Sequence, residues 1–280
     1  DDWASVLYLG VVNIGSLDGY EQANLSSSTF KTSNLPGNVK LTTTLGMKVK
    51  YDRDANILVI DQNVQDGRAL LSGGKINGMN IIFSGVNSLN VNKNKQRFDE
   101  RLLTGCLTIL DSELINTSVQ VSNASCEDGL NLFRVKGNIK ELVISDSISD
   151  ALDMDFSVIN IGTTKINNAG NDCVDVSGGT YKMSKITATN CQDKGVSIGE
   201  QSIFSSSDVY ISNSNTGLSV KDTSLAKIKT LTVQGSKTCL AASRKKQEFM
   251  GAVAEIEQIK CANGDVISDP GSQIIVGNSH

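Results

Sequence analysis

A polar, a small, an aliphatic and a polar residue recur in that order at a spacing of 22 positions. The windows are Asp128-Gly129-Leu130-Asn131, Asp150-Ala151-Leu152-Asp153, Asp172-Cys173-Val174-Asp175, Lys194-Gly195-Val196-Ser197 and Thr216-Gly217-Leu218-Ser219. A fixed period of this size belongs to a solenoid in which every turn of chain adds one layer to a stack. Leu130, Leu152, Val174, Val196, Leu218 and Leu240 then form an inward column. Two residues on, Leu132, Met154, Val176, Ile198, Val220 and Ala242 form a second one, as the alternation of a pleated strand requires. The residues between them, Asn131, Asp153, Asp175, Ser197 and Ser219, are predicted to face outward into solvent. So are Phe133, Asp155, Ser177, Gly199 and Lys221. Asp146, Asn168 and Asn190 precede the ladder by four residues and read as a stack of hydrogen-bonded side chains.

The predicted fold is all-β: a single right-handed parallel β-helix with about 22 residues per coil in its regular part. Strand-like runs at Val6–Val12, Val39–Thr44, Ile57–Ile60, Ile81–Phe83 and Leu107–Leu110 are punctuated by Gly, Asn and Asp. Residues 1–105 read as irregular N-terminal coils with a charged, aperiodic loop at 92–101. Residues 106–243 read as regular coils, and 244–280 as a loop followed by a C-terminal coil, all in one domain.

Composition narrows the picture. With 25 Gly, 2 Pro and 5% aromatic residues, the chain suits short strands, tight turns and a narrow core. A net charge of -4 and a pI near 5.1 argue against nucleic acid, and Arg244-Lys245-Lys246 is too short a basic run to reverse that. No stretch approaches the roughly 20 apolar residues of a membrane span. The start lacks the basic region of a signal peptide, so a mature or trimmed chain is expected. The single histidine is His280, which removes mechanisms that need a catalytic imidazole. The six cysteines fall into sequential pairs, Cys106 with Cys126, Cys173 with Cys191, and Cys239 with Cys261. Each pair is about one coil apart, which is compatible with disulfides between neighbouring layers and an exported protein; buried free thiols are the other reading. No Cys-x-x-Cys grouping points to zinc. The expectation is a secreted or cell-surface monomer, with a surface-associated partner protein left open.

Asp128, Asp150 and Asp172 should repeat about 4.8 Å apart, with Asp153, Asp155 and Asp175 beside them. Strands disfavour Asp, and like charges opposite one another destabilise, so this accumulation asks for a reason. Turn chemistry is one, since Asp accepts backbone hydrogen bonds. A Ca²⁺ held by Asp150, Asp153, Asp172 and Asp175 is another. Paired carboxyls with separated pKa values are a third. Lys194 stands where the next Asp would be, either as an ion-pair partner of Asp172 or as a general base. Asp128, Asn131, Asp155, Ser197, Lys221, Arg244, Lys245 and Lys246 are the candidate substrate-binding residues around this patch.

Leu103–Thr108, Cys126–Asn131, Ser149–Ser157, Gly170–Gly178 and Asp193–Glu200 resemble a bacterial family of right-handed β-helix repeat proteins, often encoded with or fused to CotH-type kinase-like domains. Lys245-Lys246-Gln247-Glu248-Phe249 resembles that family's Lys-Lys-x-Glu-Phe element. The resemblance covers roughly residues 100–250 and implies the fold more firmly than any activity. More distantly, the Asp ladder is similar to that of polygalacturonase-type hydrolases, but Asp193-Lys194-Gly195 stands where they carry Gly-His-Gly. Calcium-dependent pectate lyases resemble the chain in residue type and layer. Their plan implies Asp150, Asp172 and Asp175 on Ca²⁺ and Lys194 removing the proton that the metal acidifies. The function expected first is therefore Ca²⁺-assisted β-elimination of an acidic, uronate-containing polysaccharide, with Lys194, Asp172 and Asp150 catalytic. The alternatives are a carbohydrate-binding or structural solenoid, and a metal-independent glycoside hydrolase.

Overall fold

The structure, a computed structural model, describes residues 30–65, 67–86 and 97–277. The expected strand at 6–12, the first half of the 92–101 loop and His280 lie outside the described residues. Among the described residues all regular structure is β, built into a solenoid of about 10 turns. Residues 30–72 open it with antiparallel ladders: Phe30–Leu35 pairs with Val39–Thr44, which pairs with Ala69–Ser72, and Met47–Asp52 pairs with Ile57–Gln62. From Ile57–Gln62 and Ala69–Ser72 onward, each strand pairs in parallel with its equivalent in the next coil.

The register is the one set by the repeat. Leu130 pairs with Leu152, Leu152 with Val174, Val174 with Val196, Val196 with Leu218, and Leu218 with Leu240. These residues and their companions two positions on are buried and form the core's inner wall. Each regular coil carries a short strand, such as Asp150–Asp155, and a long one, such as Val158–Ala169. Ile144, Ile166, Ala188, Ile211 and Val233 of the long strands close the core from the other side. All three cysteine pairs form disulfides as the spacing suggested, tying successive coils together.

Two turn columns hold left-handed backbone. Toward the C-terminal part of the long strands, Asp146, Asn168 and Asn190 have φ of 57°, 67° and 57°. Asn and Asp tolerate this region better than other residues with a Cβ, which is a second reason for the column beyond stacking. Asn168 donates to Asp146 at 2.7 Å, and Asn213 donates to Asn190 at 3.1 Å; Asn190 itself reaches Asn167 at 3.0 Å. After the short strands, Arg134, Phe156, Gly178, Glu200 and Asp222 occupy the equivalent left-handed position.

One expectation fails. The outer face of the short strands does not stand free in solvent: Ser197 is 0%, Asn131 5% and Lys221 7% exposed, while Asp153 and Asp175 are only part-exposed. Acid side chains one strand spacing apart shield one another. At one end, residues 244–250 form a strap pinned by the Asp222 carboxylate, which accepts from the backbone N–H groups of Lys245 at 2.7 Å and Lys246 at 2.9 Å. Alternation decides which side of a sheet a residue takes, not what lies over that side.

Candidate functional site: a recessed carboxylate face

Asp128, Asp150, Asp172 and Lys194 stand in one column at the start of the short strands. Asp150 Oδ1 accepts from the backbone N–H of Asp172 and from Asn171 Nδ2, both at 2.7 Å. Asp172 Oδ1 in turn accepts from the N–H of Lys194 at 2.9 Å. Asp150 and Asp172 thus each cap the equivalent residue of the next coil, whereas the Asp150 N–H goes to the Glu127 carbonyl, so turn chemistry accounts for part of the column.

Lys194 Nζ lies 3.4 and 3.5 Å from the two Asp172 oxygens and also donates to Asp193. Burial alone lowers its pKa, but the hydrogen bond to Asp193 and the charge of Asp172 outweigh that and raise it. Asp193 is lowered: the Lys194 hydrogen bond and charge overcome its desolvation. The Asp172 side of the pair behaves differently. Its side chain is 4% exposed, and burial lifts it to about 7 against the pull of Lys194, with Asp175 and Asp150 adding repulsion. The pair therefore keeps Lys194 charged without keeping Asp172 in the ordinary carboxylate range.

The next two columns complete the patch. Asn131, Asp153 and Asp175 face outward in register, with Asp155 and Ser177 alongside. Asn131 Nδ2 donates to Asp153 Oδ2 at 3.1 Å and to Asp155 Oδ2 at 3.5 Å. Burial pushes Asp153 well above the usual carboxylate range, and the charges of Asp128, Asp155, Asp175 and Asp150 push the same way. Burial also lifts Asp128 to about 7, and Asp150 and Asp155 to about 6. Asn131 thus bridges two acids whose charges repel one another. Asp128 Oδ2, Asp175 Oδ1, Ser197 Oγ and Thr108 Oγ1 are buried without a hydrogen-bond partner. Such orphans on one face are unusual in a folded protein and mark surface suited to a polar ligand.

Basic residues gather at the strap end. Lys246 Nζ bonds Glu200 at 2.7 Å, and Ser177 also donates to Glu200. Burial raises the Glu200 carboxyl, but these two hydrogen bonds prevail and lower it. Lys221 lies across Gly199, where an added Cβ would be 3.6 Å from its Cε. Arg244 and Lys245 are exposed on the strap.

The structure thus brings Asp128, Asn131, Asp150, Asp153, Asp155, Asp172, Asp175 and Ser197 into one patch, with Lys194 at its edge and Lys221 and Lys246 beyond. Sequence reasoning missed Asp193, Ser177 as a Glu200 partner, Glu200 itself and Phe156. Glu200 and Phe156 occupy the left-handed turn column, whose signal lies in backbone geometry and not in any repeated residue type. The donor set is all hard oxygen, the kind Ca²⁺ takes, and two of its carboxylates each have an unpartnered oxygen. Among the described residues, however, no three carboxylate, thiolate or imidazole groups converge as a metal site. Among the same residues no helix is long and apolar enough to cross a membrane. Comparison of the chain with protein-family models, with curated proteins and with solved structures gives no match.

Proposed function

We propose that the recessed face is a site for an acidic polysaccharide, outside the cell or on its surface, where carboxyl pairs carry out acid–base cleavage of the glycosidic bond. The observation behind this reading is the set of five neighbouring acids, Asp128, Asp150, Asp153, Asp155 and Asp172, whose proton affinity burial has raised. A glycosidic oxygen needs a carboxylic acid to protonate it and a carboxylate nearby to attack or to activate water. Burial and the neighbouring acids raise the proton affinity of Asp153. Asp175 lies one strand along, about 4.8 Å away by strand spacing, and its Oδ1 is buried without a hydrogen-bond partner. That separation is close to the ~5–5.5 Å of a retaining pair. In mildly acidic solution the face is largely neutral, so it can donate hydrogen bonds to uronate carboxylates instead of repelling them. The three disulfides fit an oxidising compartment.

A second reading is β-elimination with Lys194 as base, favoured by the orphaned oxygens of Asp128 and Asp175. A Ca²⁺ on Asp150, Asp153, Asp172 and Asp175 would acidify the substrate proton and offset the acids that now keep Lys194 charged. Digestion of a panel of uronate polymers, with Ca²⁺ and with chelator, separates the two. Hydrolysis gives reducing ends with retained anomeric configuration, survives chelator and is lost in Asp153→Asn. Elimination gives products absorbing in the ultraviolet and is lost with chelator and in Lys194→Ala. Absence of cleavage and of binding across the panel overturns both readings.

A further inference from the structure

We propose that Phe156 is a sugar-stacking platform whose exposed ring receives the apolar C–H face of a pyranose beside the carboxylate patch. The proposal rests on the polysaccharide reading and deepens it by naming the contact that positions the chain. Phe156 is 60% exposed, so the fold gains little from burying it. Its backbone has φ of 49°, a region that a bulky side chain rarely takes. An unburied aromatic in an unfavourable backbone conformation is a poor choice for stability, and such outliers cluster where a ligand is handled.

The ring is nevertheless held in place. On one side it lies against Gly178 of the next coil, where any Cβ would come within 2.7 Å of its Cδ1 and Cε1. On the other side the edge of Phe133 meets it, with centroids 5.7 Å apart and planes at 80°. Phe133 is covered by the Arg134 guanidinium at 4.6 Å, and Asp111 grips that guanidinium through two 2.7 Å hydrogen bonds. This contiguous ledge spans four coils and leaves most of the Phe156 surface open. Asp155, next in sequence, carries the ledge into the acid patch, so hydroxyl-binding groups border the apolar surface. An apolar ring face rimmed by hydrogen-bonding groups matches a pyranose better than a hydrophobic protein surface.

The test measures binding of oligogalacturonate, oligoalginate and a neutral gluco-oligosaccharide to the full chain, to Phe156→Asn and to Phe156→Trp. Asparagine tolerates the left-handed backbone, so Phe156→Asn is expected to melt at the same temperature or higher while binding the preferred oligosaccharide at least 10-fold more weakly. Phe156→Trp is expected to keep affinity and to change fluorescence on saturation, corrected for the single native tryptophan, Trp3. Equal affinity of the wild type and Phe156→Asn overturns the platform alone. So does a steep loss of thermal stability in Phe156→Asn, which marks the ring as structural. Loss of self-association instead of sugar binding makes Phe156 a protein contact and overturns it equally. A wild type that binds none of the three brings down the polysaccharide reading, and the platform with it.

Discussion

The solenoid carries charge on two outer faces in opposite ways. On the long strands, cations and anions alternate between coils: Lys165 with Glu141 at 3.3 Å, Lys185 with Asp208 at 3.8 Å and Lys227 with Glu255 at 3.0 Å. All are well exposed, so neither desolvation nor repulsion opposes folding. On the short strands, Asp153 pairs in register with Asp175, Asp128 with Asp150, and the carboxyls are recessed. The same backbone ladder supports both, so the fold does not require acids on the second face. Only the hydrogen bonds from Asp150 to the N–H of Asp172, and from Asp172 to that of Lys194, have a local structural use. Among the described residues, Asp153 accepts no backbone hydrogen bond, only one from the Asn131 side chain, and Asp175 Oδ1 has no partner.

This contrast can be attacked at several points. The largest expected effect is on chemistry: Asp153→Asn and Asp175→Asn should each lower cleavage at least 100-fold in a reducing-end assay, since paired acid–base carboxyls act as a unit. Activity retained in both moves the chemistry off this face. A smaller effect follows from Lys194→Met. Its pairing with Asp172 has value only while Asp172 is ionised, above about pH 7, whereas its hydrogen bond to Asp193 persists at pH 5, so the variant should lose about 1 kcal/mol more at pH 8 than at pH 5 in chemical denaturation. An equal loss at both pH values would show that Lys194 contributes packing and not charge. The smallest effect belongs to the other face. Lys165→Met should change stability by no more than about 0.5 kcal/mol, because exposed pairs contribute little. A larger loss would mean that the long-strand charges hold the coils together after all.

The repeat made the fold legible. Leu130 to Leu240 appear in the predicted register because a period fixes stacking and alternation fixes facing. The cysteine pairs were legible for the same reason, being one coil apart. The antiparallel opening at 30–72 was not, because it lies outside the repeat. The acid cluster could be listed from sequence, but its recessed position could not. That depends on how closely the acid side chains of adjacent coils crowd one another, which a list of columns does not record. Lys194 shows the limit most clearly. Its place in the ladder suggested a base, whereas Asp193, its neighbour in sequence, holds it as a cation.

The central claim is that the ladder acids oppose folding when ionised and are therefore kept for another reason. Their folded pKa values lie above the ordinary 3.8, at about 6 for Asp150 and Asp155 and about 7 for Asp128 and Asp172. Groups raised in this way contribute stability that is fully present below about pH 4 and lost as pH rises through 6 to 7. Asp193 and Glu200, which are lowered, act oppositely and lose their contribution only as the solution becomes strongly acidic. The decisive measurement is unfolding free energy against pH for the wild type and for Asp153→Asn/Asp175→Asn. The wild type should be most stable near pH 4 and lose several kcal/mol toward pH 8, with the double variant flatter and more stable than the wild type at pH 8. A wild type that gains stability from pH 4 to 8, or a double variant less stable at pH 8, would contradict the account.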